Sequence, residues 1–153
     1  MTKKKKWTKP AGAPPKEIAK PKGNLPRNIN GYPVFRFDMI DRDGVFAFDL
    51  SRKDFDHKTV LGKLMEYSCT KWTDILMQTH DKRNKSKHHY LKDERGLSSE
   101  ARERLRKMKQ DDNVDALFSF ALTNKLRIIG LRVDDDFHVL WYDPQHGVYP
   151  SQK

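Results

Sequence analysis

The residues of this 153-residue chain best suited to proton transfer and phosphate chemistry gather in two stretches. One is HDKRNKSKHHYLKDER over 80–95, which supplies His80, Lys85, Lys87, His88 and His89. The other is LRIIGLRVDDDFHVLWYDPQH over 126–146, which supplies Arg127, Arg132, His138, Tyr142 and His146. Cleavage of RNA by its own 2′-hydroxyl needs three contributions: a base for the hydroxyl proton, cations for the charged phosphorane, and an acid for the departing 5′ oxygen. Histidine, lysine and tyrosine move protons, and the guanidinium fork of arginine matches two phosphate oxygens. That chemistry requires no metal. The question left to the fold is whether the two stretches meet.

Each of these residues also has a plain structural reading. Arg127 and Arg132 lie an odd number of residues apart on one strand-like run, so they point to opposite faces and at most one lines a given site. The other is expected to pair with Asp134, Asp135 or Asp136. His138 fits a half-buried cross-strand position. Asp143-Pro144 fits a turn in which Asp143 bonds its own backbone, and His146 then sits on an exposed tip of the kind that carries function. His88 and His89 are adjacent and cannot face one ligand together in regular structure. Neither an H-E-x-x-H nor a paired-cysteine spacing occurs, so no metal and no cofactor is expected. Glycine-rich phosphate loops, a nucleophile elbow and kinase signatures are absent as well.

The elements that must position these residues follow from periodicity. LRIIGLRV and FHVLWY alternate as strands: Leu126, Ile128, Gly130 and Arg132 share one face, and His138, Leu140 and Tyr142 alternate against Phe137, Val139 and Trp141. ALFSFALT, over 116–123, reads as the strand before them. Near the start, VFRFDMI and VFAFDL flank Asp43-Gly44, a hairpin signal. Asp54 or Asp56 can cap a helix with the stripe Val60, Leu61, Leu64 and Met65. Ser68 or Thr70 can cap a second with Trp72, Ile75 and Leu76, and Ser98 caps the charged helix SEARERLRKMKQ. Stripes at this spacing are core far more often than ligand box. The stretch 80–95 has no periodicity and is expected to be a long loop.

The expected order is therefore β–β–α–α–loop–α–β–β–β. It describes a single α+β domain over 31–153: an antiparallel sheet, made of an N-terminal hairpin and a C-terminal three-stranded meander, with helices packed on one face.

Charge is distributed unevenly. The formal net charge is +10, yet residues 1–30 hold nine Lys and Arg against Glu17 alone, leaving residues 31–153 near neutrality. That leading segment also carries Pro10, Pro14, Pro15, Pro21 and Pro26, and a disordered arm is expected there. Such an arm can seek polyphosphate through counterion release or serve only as a solubilising tail. The single cysteine, Cys69, excludes an intramolecular disulfide and is expected to be a buried thiol in a reduced, cytoplasmic setting. No run is apolar enough for a membrane span, and the lysine-rich start has no apolar core for a secretory signal.

The element order, with RIIGLRV, a turn and FHVLWY as the last two strands, resembles the RelE/ParE-like toxin superfamily over residues 45–149. Those folds run strand, two helices, then a three-stranded antiparallel meander. The resemblance implies a metal-independent endoribonuclease acting on messenger RNA, in a ribosomal setting and with an antitoxin protein as partner. Arg132 would match the penultimate-strand arginine that stabilises the phosphate, and Tyr142 or His146 the terminal-strand proton-transfer residue. Outside what the resemblance carries over, residue type alone makes His80, Lys85, Lys87, His88, His89 and Arg127 the expected nucleic-acid contacts. The chain departs from that pattern in its leading arm, its front hairpin and its 80–95 loop. The competing reading is a non-catalytic nucleic-acid-binding or adaptor protein that grips phosphate with the basic arm and that loop.

Overall fold

The computed structural model describes residues 31–80 and 85–150, so the basic arm over 1–30 lies outside the described residues. The domain is α+β. Its elements are β1 (Val34–Arg36), α1 (His57–Ser68), α2 (Trp72–Met77), β2 (His89–Tyr90), α3 (Ser99–Lys107), β3 (Leu117–Ala121), β4 (Arg127–Val133) and β5 (Asp136–Asp143), with 3-10 turns at Glu94–Gly96 and Asp111–Ala116. The strands form one five-stranded sheet in the order β1-β5-β4-β3-β2. The meander β3–β4–β5 is antiparallel, and β2 adds antiparallel to β3.

Two expectations about the sheet are corrected. The front hairpin does not form: β1 pairs parallel with β5, through Phe35 opposite Phe137, so the sheet is mixed. The Asp43-Gly44 signal is nevertheless a real turn, with Gly44 at a φ of 85°. It closes a loop in which the Phe48 amide donates to the Asp41 carbonyl, while the Asp41 amide donates to the Leu140 carbonyl. Phe46 and Phe48, two residues apart and both buried, pack into opposite cores, which an alternating strand would not allow.

The second correction concerns the layers. Helices cover both faces. Val60, Leu64 and Tyr67 of α1 and Trp72 and Ile75 of α2 pack with Phe118, Phe120, Ile128, Phe137 and Val139. Ala101 and Leu105 of α3 pack on the opposite side with Leu117, Ile129, Leu131, Leu140 and Trp141. Doubly covered strands need apolar residues on both faces, and that is why β3 and β4 read as nearly continuous apolar runs.

In β4 the expected alternation holds, with Ile128 on one face and Ile129 and Leu131 on the other. In β5 a bulge breaks it. Ile129 pairs with Trp141 while Gly130 pairs with Val139, so Leu140 is the extra residue. Leu140 and Trp141 therefore face the same core, and Tyr142 faces the other. A Cβ at Gly130 would collide with the His138 carbonyl, so the bulge requires glycine there.

The first helix is capped by Asp56, whose carboxylate accepts the Thr59 amide at 3.0 Å. Its buried stripe is Val60, Leu64 and Tyr67; Leu61 and Met65 face outward, 63% and 60% exposed. Cys69, expected to be buried, follows the last turn of α1 and is exposed. No helix among the described residues is long and apolar enough to cross a membrane.

Candidate functional site

The two chemistry-bearing stretches do meet, and they meet at the Arg127 end of the sheet. Arg127 is paired with Ala121 of β3 on one side and Asp143 of β5 on the other. The Ala121 amide donates to Nδ1 of His88 at 3.0 Å. His89 follows in β2, opposite Ser119. On the other side the Asp143 carboxylate, itself buried, accepts the amides of Gly147 at 2.8 Å and Val148 at 2.9 Å. That clasp fixes the tip and holds His146 in the left-handed backbone region, at a φ of 57°. Neighbouring strands are about 4.8 Å apart, so β2 and β5 lie within ~10 Å of β4 at this end.

The loop expected over 80–95 begins as a small hairpin. The His80 amide donates to the Lys85 carbonyl, the Lys87 amide to the Gln78 carbonyl, and Thr79 bridges Ser86. Against it lies the β3–β4 turn. Thr79, His80 and Lys87 from one side and Leu122, Thr123 and Asn124 from the other enclose a recess of about 240 Å³. Of the lining residues Thr123 and Asn124 are exposed and Lys87 is half-buried; Lys85 and Lys125, next along the chain, are exposed, and His89 is half-buried. Sequence reading missed Thr79, Thr123, Asn124 and Lys125. A polar triplet between two strong strands was the available signal, but nothing in its spacing ties it to the histidines.

The electrostatics of this corner follow from crowding of cations around partly desolvated imidazoles. Burial pushes the His88 imidazole down to about 3, with Lys87 and Arg127 adding to the effect. His88 accepts the Ala121 amide on Nδ1, so its proton sits on Nε2 and donates to Gln78 Oε1 at 2.8 Å. It is therefore a neutral, buried strut between the hairpin and β3, not the phosphate contact expected of it. Burial and then Arg127 lower the His146 imidazole below its ordinary value, against the opposing pull of Asp143; His89 and His80 act on it in the same sense as Arg127. Arg127 itself is buried. It donates to the carbonyls of Thr123 at 2.7 Å, Leu126 at 3.1 Å and Asn124 at 3.2 Å, so it braces the β3–β4 turn and supplies field to the imidazoles. Among the described residues, no three His, Cys, Asp or Glu side chains gather closely enough to hold a metal ion.

The arginine expected at the centre of the site is elsewhere. Arg132 is 1% exposed, its guanidinium 3.9 Å from the Trp72 ring centroid. Nε donates to the Asp134 carbonyl and Nη1 to the Tyr90 hydroxyl, while Nη2 is buried with no partner among the described residues. Five residues of strand, about 16 Å, separate it from Arg127, and it points to the opposite face. No open cationic pocket joins Arg132 to His146. Tyr142 is also built into the fold: its hydroxyl donates to the Asp54 carbonyl at 2.6 Å and accepts the Asp56 amide at 3.0 Å, and its ring stacks on Phe55. Burial raises its phenol above the usual range, which disfavours an ionised form. His138, opposite Arg36 on β5, bonds Asp38 of the turn after β1 at 2.8 Å, a structural role away from the corner.

Residues 53–153 match the family described as Uncharacterised protein UU032, and the chain belongs to that family. No curated protein matches the chain, and no solved structure matches it.

Proposed function

We propose that this protein acts on RNA at the histidine corner, as a metal-independent endoribonuclease of the RelE-like type working in the cytoplasm, with an antitoxin protein as its natural partner. One observation carries the reading: strand register brings the His89 strand and the His146 tip to the Arg127 end of the sheet, where Arg127, His89 and His80 all act electrostatically on the His146 imidazole.

In this reading the protein works with residues partly different from those the RelE-like resemblance implied. Lys85, Lys87 and Lys125 hold the backbone of a single strand through its phosphates. His146, held neutral by its surroundings, takes the proton of the 2′-hydroxyl as that oxygen attacks the adjacent phosphorus. A protonated imidazole at His89 or His80 gives its proton to the 5′ oxygen as the P–O5′ bond breaks. The products are a 2′,3′-cyclic phosphate and a 5′-hydroxyl, and the two imidazoles exchange protonation states. Arg127 acts as a positioning residue that stabilises the turn and biases the imidazoles.

The experiment is incubation of the full chain with translating ribosomes and with naked single-stranded RNA, in chelator. Cleavage with cyclic-phosphate ends that vanishes in His146→Ala supports the reading. A second reading has its own observation, since Arg132 and Tyr142, two of the three residues expected to be catalytic, are consumed by structural contacts. Under that reading the corner only binds. Binding lost in Lys87→Ala, with RNA left intact by the wild type, would establish the adaptor instead, and neither binding nor cleavage would end both.

A further inference from the structure

The recess beside the corner has a chemistry of its own. Building on the RNA-acting reading, we infer that it is a nucleobase subsite, and that Asn124 reads the edge of the base bound there. At about 240 Å³ it falls below the ~300–1,000 Å³ of pockets for drug-sized ligands, a size suited to one base. Leu122 gives it an apolar wall, and Thr79, Thr123, Asn124, His80 and Lys87 surround that wall with donors and acceptors. An apolar surface ringed by a few convergent polar groups is what an unstacked RNA base requires.

Its polar groups are held in place from behind. The Thr123 hydroxyl accepts the Leu126 amide at 3.1 Å, which leaves its proton for a ligand. Arg127 clamps the carbonyls of Thr123 and Asn124, so the turn that carries both side chains is pre-organised. The Asn124 carboxamide is exposed on that turn and lines the recess. A carboxamide presents a donor and an acceptor side by side, and on the edge that carries N7 only adenine offers the matching pair, the N7 acceptor beside the N6 amine, where guanine offers two acceptors. Phosphate alone has acceptors only and would engage Lys87 without needing the amide. His80 lines the recess and also lies within electrostatic reach of His146, so a base seated there would place its own linkage at the imidazoles.

The test is a titration of isotope-labelled full chain with each of the four nucleoside 5′-monophosphates and, separately, inorganic phosphate, following backbone amide signals. The expected result is movement of Thr79, Thr123 and Asn124 with nucleotides and not with phosphate. One base, adenine by the edge argument, should bind about tenfold more tightly than the weakest, and Asn124→Ala should erase that difference. Equal responses to all four nucleotides, or the same response to phosphate alone, would overturn the subsite. Because no RNA is cut in this experiment, its outcome is independent of cleavage. Base-selective binding by a chain that leaves RNA intact would keep the subsite and sink the nuclease, whereas cleavage without base-selective shifts would do the reverse.

Discussion

Asp41 and Arg104, 63 residues apart in sequence, form a two-point ion pair in which Nε and Nη2 of the arginine reach the carboxylate at 2.9 and 2.7 Å. The Trp141 indole donates to the same carboxylate at 2.9 Å. One buried acid thus joins the loop after β1, helix α3 and the bulged strand β5. Asp41 is almost wholly shielded, so removing its cation strands a charge in the core. Arg104→Ala should therefore cost about 3 kcal/mol of stability, on the scale of broken buried pairs. Arg104→Lys, with the charge but without the fork, should fall between that variant and wild type. Urea unfolding followed by tryptophan fluorescence checks both, and an unchanged midpoint in Arg104→Ala would show the pair to be incidental.

His88 gives the domain a pH-dependent stability. The imidazole is held near 3 in the folded protein and returns to about 6.5 when the chain unfolds. Above 6.5 both states are neutral and the group has no effect. As pH falls below 6.5 the unfolded chain takes up a proton that the native state refuses, so stability is lost down to about 3. The slope from this one proton is about 1.4 kcal/mol per pH unit within that window. His88→Gln keeps an acceptor for the Ala121 amide and removes the titration. Its stability should match wild type near pH 8 and exceed it at pH 5, and parallel curves for the two proteins would refute the assignment.

The sheet's meander was legible because its periodicity is local and strong. ALFSFALT, RIIGLRV and FHVLWY each specify a strand, and the short acidic turn between the last two leaves only an antiparallel pairing. The front of the domain was not legible, because its arrangement depends on partners far along the chain. VFRFDMI alternates as a strand, but its pairing was decided by β5, about a hundred residues later, and by the Asp41 clamp. The bulge left one trace, a glycine in mid-strand, that fits both a bulge and a close approach. Arg132 was misread for a related reason. A cation on a strand suggests a site only if that face is open, and the residue that closes it, Trp72, lies on a helix sixty residues earlier. The histidine corner was half legible: its residue types stood out, while their meeting is a product of register.

The burial of Arg132 makes a prediction that separates structure from catalysis. Its Nη2 has no partner among the described residues, and its main contact is the face of Trp72. Arg132→Met keeps an apolar stem over the ring and removes a poorly satisfied charge, so it should cost less than about 1.5 kcal/mol. Arg132→Ala opens a cavity under Trp72 and should cost about 3 kcal/mol. RNA binding and cleavage by Arg132→Met should equal wild type. A folded Arg132→Met protein with activity reduced a hundredfold would return this residue to the site.

His146 should behave in the opposite way, because its backbone is strained and its side chain is the proposed base. A residue other than glycine at a φ of 57° costs roughly 1–2 kcal/mol, a cost moderated for histidine and sustained here by the Asp143 clasp. Glycine accepts that conformation freely. His146→Gly should therefore unfold within about 1 kcal/mol of wild type while losing cleavage by at least a hundredfold, at the low end of what general acid-base groups contribute. The rate profile supplies an independent readout. Burial and Arg127 lower this imidazole, so its basic form persists to lower pH, and the acidic limb of cleavage should inflect below 6.5. Neutralising the cation in Arg127→Met should move that inflection upward. An inflection that stays fixed in Arg127→Met, or cleavage that survives in His146→Gly, would show that the proton is taken by a different group.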